Sequence, residues 1–261
     1  MSIKMCSLSS GSTGNCIYVA GEKTELLIDC GIPLSRVRKS LRVLGASAEG
    51  IPVLVTHSHG DHINGIGSLV RSAGAVVYSH YRSTPAVARA GRLDKTNYVE
   101  YGDGEFRVGD LVITPVPVPH DVPCVGFVIR EGAAKACVFT DLGRVTPEIL
   151  EAAKGAAMMI IEANHDPALV ASSAYARFLK NRILSPRGHL SNDACADAIA
   201  GLVGFGLRRA LLAHLSRENN SPELALRSVA DRLFAAGIRP DADVTLEVAP
   251  AAAMSGLYRI G

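Results

Sequence analysis

The stretch Val53-Leu54-Val55-Thr56-His57-Ser58-His59-Gly60-Asp61-His62 decides how this chain is read. An apolar run that predicts a buried strand stops at Thr56. Polar donors then follow almost without interruption: His57, Ser58, His59, Asp61 and His62, with Gly60 among them. A core strand does not tolerate so many polar groups, because each buried unpaired one costs ~1–3 kcal/mol. A surface loop has no need of three imidazoles and a carboxylate so close together. Metal coordination accounts for both facts, since neutral imidazoles and carboxylates are the donors that zinc and related divalent ions take. Two histidines two apart, His57 and His59, can aim at one ion. Asp61 and His62, one turn onward, can aim at another. This is not the helical His-Glu-x-x-His pattern, whose ligands lie four apart on one helix face.

Outward from that stretch, the same pattern recurs: an apolar strand, then a donor, then a loop. His120 ends Leu111-Val-Ile-Thr-Pro-Val-Pro-Val-Pro, Asp141 follows Ala136-Cys-Val-Phe-Thr140, and His214 follows Ala210-Leu-Leu-Ala213. Each alone reads as a loop residue, a turn-former or a cap. Taken together with the opening stretch they read as ligands, because strands of one sandwich end on a common edge. Glu162, Asn164 and His165 follow the strand Met158–Ile161 in the same way. His80 also follows a strand, and it reads as structural.

The element order predicts strands at Ile3–Leu8, Cys16–Val19, Leu26–Cys30, Pro52–Val55 and Ala75–Ser79 in the first part of the chain. A β-meander is expected over Tyr98–Tyr101, Glu105–Val108 and Leu111–Val118, then a strand pair at Val125–Arg130 and Ala136–Thr140. The last strands are expected at Met158–Ile161, Ala210–Ala213, Val244–Val248 and Leu257–Ile260. Helices are expected at Leu34–Leu44, closed by Gly45, at Ile63–Arg71, Thr84–Ala90, Ala174–Leu184, Asn192–Val203 and from Ser221 to Ala236. Thr146-Pro147-Glu148 opens another. Strands flanked by helices in both halves, with no linker between them, suggest two sheets layered between helices in one domain, 1–261. The small-residue loop Ser9–Asn15, which contains Ser12, either lets backbone amides approach a ligand or is a plain hairpin turn.

Composition excludes little. A hydrophobic content of 48% and a charged content of 20% allow a substantial core. A net charge of +2 neither announces nor repels a polyanionic partner. No apolar run reaches the ~20 residues of a membrane span, and Met1-Ser-Ile-Lys-Met-Cys6 lacks the apolar core of a secretory signal. The six cysteines form no CxxC pair, so reduced, buried thiols and a cytoplasmic location are expected. Arg177, Lys180, Arg182 and Arg187 precede His189, and Arg208 and Arg209 precede the His214 strand. They either attract phosphates or form solvated faces. No aromatic-plus-basic run for stacking bases is evident.

The set Thr56-His57-Ser58-His59-Gly60-Asp61-His62, His120, Asp141 and His214 resembles the five metal-binding motifs of the metallo-β-lactamase-fold hydrolases, over nearly the whole chain. Ser7–Cys16, Glu162–Asp166, Gly188-His189-Leu-Ser-Asn192 and His214–Asn220 look like the WalJ/YycJ-like branch, which is exonuclease- and phosphodiesterase-like. The resemblance implies an α/β (α+β) fold, the four-layer αββα sandwich that the element order suggests independently. It also implies two divalent metal ions per chain, Zn or Mn, with Fe equally suited to the donors. One ion would be held by His57, His59 and His120, the other by Asp61, His62 and His214, with Asp141 bridging. A hydroxide between the ions would be the nucleophile, oriented or deprotonated by Asp61. His189 matches the position of a phosphate-binding or acid histidine. His165, Asn164 and Ser12 are expected as further substrate contacts, and Glu162 as the group that sets a ligand histidine's tautomer.

The implied activity is that of a two-metal phosphodiesterase or nuclease, acting on phosphodiester substrates such as DNA or RNA ends. A thioesterase or other small-molecule ester hydrolase on the same fold is the alternative. A metal-bound regulatory protein without turnover ranks last, because no member of the ligand set is missing.

Overall fold

The computed structural model describes residues 2–261. Fourteen strands form two seven-stranded sheets. The first contains β1 (Ile3–Ser9), β2 (Cys16–Ala20), β3 (Glu25–Ile28), β4 (Pro52–Val55), β5 (Val76–His80), β6 (Tyr98–Tyr101) and, at its edge beside β1, β14 (Tyr258–Ile260). The second runs β7 (Phe106–Val108), β8 (Leu111–Pro117), β9 (Val125–Glu131), β10 (Ala134–Phe139), β11 (Met158–Glu162), β12 (Arg209–Ala213) and β13 (Thr245–Val248). Strands β3 to β6 are mutually parallel, and so are β10 to β13.

Three apolar clusters show why the layers stack. Alternate side chains of each sheet point inward, as a period of two requires. Ile3, Val19, Ile28 and Leu54 of the first sheet meet Phe127, Ile129, Val138 and Leu211 of the second. The outward set of the first sheet, with Leu27, Val53 and Val55, is covered by Val37 and Leu41 of α1 (Leu34–Leu44) and by Ile66 and Leu69 of α3 (Ile66–Ala73). The outward set of the second, with Cys137, Phe139 and Ile161, is covered by Ile149 of α5 (Pro147–Ala153), Cys195 and Ile199 of α8 (Asn192–Val203), and Val229 and Leu233 of α9 (Pro222–Ala235). The result is the four-layer αββα sandwich. All six cysteines are buried and free.

The expected elements are present with shifted ends, and the meander is corrected. Tyr98–Tyr101 pairs in parallel with β5 and closes the first sheet, whereas Phe106–Val108 opens the second. The Gly-Asp-Gly turn between them carries the chain from one sheet to the other, a step that local turn chemistry cannot distinguish from a hairpin. The helix expected at Ile63–Arg71 is two helices, α2 (Gly60–Ile63) and α3, so Asp61 and His62 ride on a helical turn of their own. The break is imposed by packing. Gly65 N donates to Cys30 O at 2.8 Å, and a Cβ on Gly65 would lie 2.1 Å from Ile32 O. Opposite it, a Cβ on Gly31 would lie 1.7 Å from Asp61 O. The helix expected at Ala174–Leu184 is shorter, α7 (Arg177–Ile183), and is preceded by α6 (Pro167–Ser172), which Asp166 caps through Ala168 N and Leu169 N. Among the described residues, α4 (Thr84–Gly91) completes the helices, and no helix is long and apolar enough to cross a membrane.

Phe127 is fully buried between the sheets. Phe127→Ala is expected to cost about 3–5 kcal/mol of stability, read as a lower urea midpoint with an unchanged slope.

Candidate metal centre

Because β3, β4, β10, β11 and β12 run the same way within their sheets, their C-terminal ends share one edge. Asp29 follows β3, His57 follows β4, Asp141 follows β10, Glu162 ends β11 and His214 follows β12. β8, antiparallel to β9, which is itself antiparallel to β10, brings His120 to that edge too. Three of these residues hold left-handed backbone: Asp29 (φ 60°), Asp141 (φ 57°) and His214 (φ 55°). Such strain persists where surrounding contacts over-determine it, and it clusters at functional sites.

The donors converge as four overlapping groups, the ligand-type atoms of each lying within 4.8 Å of one another: His57 with His59 and His120; Asp61 with His62 and His214; His57 with His62 and Asp141; and Asp141 with Glu162, His189 and His214. Asp141 Oδ2 is 3.0 Å from His62 Nε2, and Asp141 Oδ1 is 3.5 Å from His214 Nε2. Asp61 Oδ2 lies 3.3 Å from His214 Nε2.

Every one of the five imidazoles has its outer nitrogen engaged, which leaves the other facing inward. His57 Nδ1 is 2.9 Å from Thr56 Oγ1, whose hydroxyl donates to Asp29 at 2.8 Å. His62 Nδ1 is 2.7 Å from Asp29 Oδ2, and His214 Nδ1 is 3.0 Å from Glu162 Oε1. His120 Nδ1 lies 3.3 Å from Gly188 O, and His59 Nε2 lies 3.3 Å from Asp121 Oδ1. His59 therefore presents Nδ1 and the other four present Nε2. Fixing the tautomer and the ring angle in this way is what outer partners of a metal ligand do.

The electrostatics favour a cation. Asp29, Asp141 and Glu162 are each at most 3% exposed. Burial opposes charge on Asp141, but His214 and His62 hold its carboxyl well below the usual range. Burial likewise opposes charge on Glu162, and His189 and His214 bring it down to about 2. Burial opposes charge on His62, yet Asp141 and Asp29 push it up to about 10. The anionic field that would retain a proton there favours a divalent ion as well. His57 Nε2 is buried without a hydrogen-bond partner, a cost of ~1–3 kcal/mol that coordination would remove, and Asp141 Oδ2 has only the His62 imidazole beside it. By chemistry and by that orphaned nitrogen, these residues fit divalent metal.

The other expected site residues are placed as follows. His189, Ser12 and Asn164 line a cavity of about 310 Å³ with His214, Tyr175 and Arg217. His189 Nδ1 is 2.8 Å from Glu162 Oε1, and its ring stacks on His214 at 5.5 Å between centroids. Burial lowers the basicity of His189, and Glu162 more than restores it. Asn164 Nδ2 donates to His214 O at 2.8 Å. His165 is 2% exposed, its Nδ1 has no partner, and it stands apart from the donor groups and the cavity lining. Arg182 lines the cavity and pairs with Asp121, whereas Arg209 pairs with Glu247 and Arg208 donates to backbone carbonyls. Tyr175 with Arg182 and Arg217 supplies an aromatic-plus-basic wall that no continuous run of sequence displays.

Three contributors escaped the sequence pattern. Asp29 obeys the strand-then-donor rule, but an expected strand running to Cys30 hides it inside the strand. Asp121 stands directly after His120, with Oδ1 also 3.2 Å from His120 Nε2. Asn15 places Nδ2 2.9 Å from His62 Nε2 and 3.2 Å from Asp61 Oδ2.

Comparison with known proteins agrees with this geometry. A family model described as a β-lactamase superfamily domain matches residues 24–215. The chain belongs to the β-lactamase superfamily. It is 34% identical over 237 residues to exodeoxyribonuclease WalJ of Streptococcus pneumoniae, covering 88% of each chain. It is 31% identical to exodeoxyribonuclease YycJ of Bacillus anthracis, covering 89% of this chain and 90% of that one. Among solved structures, the metallo-β-lactamase fold protein YhfI from Bacillus subtilis superposes with a TM-score of 0.75 at 17% identity, over 99% of this chain and 100% of that one, a likeness of fold.

Because Asp29 anchors His62 directly and His57 through Thr56, Asp29→Ala is expected to weaken Zn²⁺ and Mn²⁺ affinity by roughly 10–100-fold. Calorimetric titration of the metal-free protein checks this, and an unchanged affinity would remove Asp29 from the site.

Proposed function

We propose that this superfamily member is a two-metal phosphodiesterase of the nuclease type, a hydrolase that cleaves phosphodiester bonds at nucleic-acid ends. The observation that carries the reading is the position of Asp141, grouped with His57 of the set His57, His59 and His120 and lying 3.0 Å from His62 and 3.5 Å from His214 of the set Asp61, His62 and His214, with His189 beside them in an open cavity. The names of the S. pneumoniae and B. anthracis relatives support the same substrate class. In this reading residues 1–261 act as one catalytic domain, and the work is cytoplasmic.

Two divalent ions held there, Zn or Mn with Fe also suited, would supply Lewis acidity and lower the pKa of the attacking water. The remaining steps belong to the side chains. Asp61, its Oδ2 3.3 Å from His214 Nε2, orients the attacking water and accepts its proton. His189, kept basic by Glu162 at 2.8 Å, carries a proton on the cavity side of its ring and delivers it to the leaving oxygen as the P–O bond breaks. Ser12 and Asn164 contact the substrate from the cavity wall. Tyr175 offers a face on which a terminal base stacks, and Arg217 a cation for its phosphate. His165 is assigned a supporting role behind Asn164.

The test is metal-dependent hydrolysis of bis-p-nitrophenyl phosphate, DNA, RNA and a thioester by protein stripped of metal and then reloaded. Chelation is expected to abolish phosphodiester cleavage, and Zn²⁺ or Mn²⁺ to restore it. Thioester turnover without any phosphodiester turnover would overturn the reading. Asp141→Ala is expected to lose bound metal and activity together. His189→Ala should keep its metal by elemental analysis and lose about 10²–10⁴-fold in kcat; a full phosphodiesterase rate in that variant would refute the acid role.

A further inference from the structure

A second cavity, of about 570 Å³, lies against the metal centre and takes no part in the chemistry above. His120 forms part of its wall, whereas His189 lines the other cavity, and the two rings are 5.6 Å apart between centroids. The two cavities therefore meet at a pair of neighbouring imidazoles. Three guanidinium groups reach the second cavity from three separate segments: Arg82 from the turn after β5, Arg144 from the loop after Asp141, and Arg187 from just ahead of His189. Arg187 is held in place by its Nε donating to His120 O at 2.8 Å.

Among the described residues none of these three arginines has a carboxylate partner. Other arginines, Arg42 and Arg227 among them, lack one as well, so it is the convergence of these three on one wall that singles them out. The carboxylate on the cavity wall, Asp103, is engaged by His80 at 3.0 Å and lends only its field to Arg82, whose Nε donates to the Tyr81 hydroxyl at 2.8 Å. Solvated surface arginines have no reason to converge, and like charges on one concave wall repel unless an anion joins them. Such a wall concentrates positive potential, and the guanidinium fork matches phosphate oxygens. Between the arginines the wall is stiff and apolar, with Pro119, Val122 and Pro123, which suits a sugar more than a second charge.

We propose that this cavity receives a backbone phosphate of the nucleic-acid strand that continues beyond the bond being cut, so that Arg82 and Arg144 favour a polymer over a mononucleotide. The proposal rests on the phosphodiesterase reading and adds to it a polyanion site distinct from the scissile one.

Arg82→Ala/Arg144→Ala tests it, since both side chains are exposed and belong to no core cluster. Binding of a fluorescent oligothymidylate is measured against salt concentration, and turnover is measured on an oligonucleotide and on bis-p-nitrophenyl phosphate. The slope of log affinity against log salt is expected to become shallower by roughly 0.7, one single-strand phosphate contact. The ratio of kcat/KM for the oligonucleotide over the small diester is expected to fall roughly tenfold. Competition by thymidine monophosphate should be equal in the variant and the parent. An unmoved slope and ratio overturn the proposal, and so does an equal loss in Arg42→Ala/Arg227→Ala, which removes the same charge from distant helices. Weakened competition by the mononucleotide in the variant also overturns it, since the cavity would then be a free-nucleotide site. A parent protein that cleaves neither diester overturns the phosphodiesterase reading and this proposal together, whereas normal cleavage with an unmoved slope overturns this proposal alone.

Discussion

The buried carboxylate of Glu162 accepts four hydrogen bonds from three segments of the chain. Its Oε2 takes Leu142 N at 2.9 Å and Leu190 N at 3.1 Å, and its Oε1 takes His189 Nδ1 at 2.8 Å and His214 Nδ1 at 3.0 Å. Glu162 is fully buried, and a buried charge without such partners costs several kcal/mol. The loop after Asp141, the loop of His189 and the end of β12 are thus bound to the end of β11 by a single group. The candidate ligand His214 and the proposed acid His189 are oriented by the same atom, which would couple coordination to proton transfer.

Asp29 plays the corresponding part in the first sheet. It receives Thr56 N and Thr56 Oγ1, each at 2.8 Å, and His62 Nδ1 at 2.7 Å. Each sheet therefore ends in one buried carboxylate that aims two imidazoles, Asp29 for His57 and His62, Glu162 for His189 and His214. Between these anchors the backbone is forced into close approach. Gly31 and Gly65 let the loop after β3 lie directly on the turn of Asp61 and His62, and any side chain there would push those two donors out of line. The left-handed backbone at Asp29, Asp141 and His214 is the local strain that this convergence requires.

Much of the site was legible because strand ends announce themselves. An apolar run stopping at a donor is a local signal, and it found His57, His120, Asp141 and His214 without knowledge of pairing. Asp29 obeyed the same rule and was lost to a boundary error of two residues, since β3 ends at Ile28 rather than Cys30. Element ends are where local preference is weakest, because the last backbone hydrogen bonds depend on the neighbouring strand. Tyr98–Tyr101 is a strand as its residues suggest, but it belongs to the first sheet, because the turn after it reads alike for a hairpin and for a crossing between sheets.

The sequence by itself determined the chemistry: which donors exist, in what order, and that helices and strands alternate so as to form two covered sheets. Periodicity and residue type are local properties, and they survive without a fold. Tertiary structure alone decided which nitrogen of each histidine faces inward, that Asp29 and Glu162 each govern a pair of imidazoles, and that Tyr175, Arg182 and Arg217 share one wall while Arg82, Arg144 and Arg187 share another. Most of those relations join residues tens of positions apart, and what sets them is the parallel register that brings the strand ends to one edge. At that edge His57, His59, Asp61 and His62 form half of the candidate centre, and the other half arrives from the second sheet.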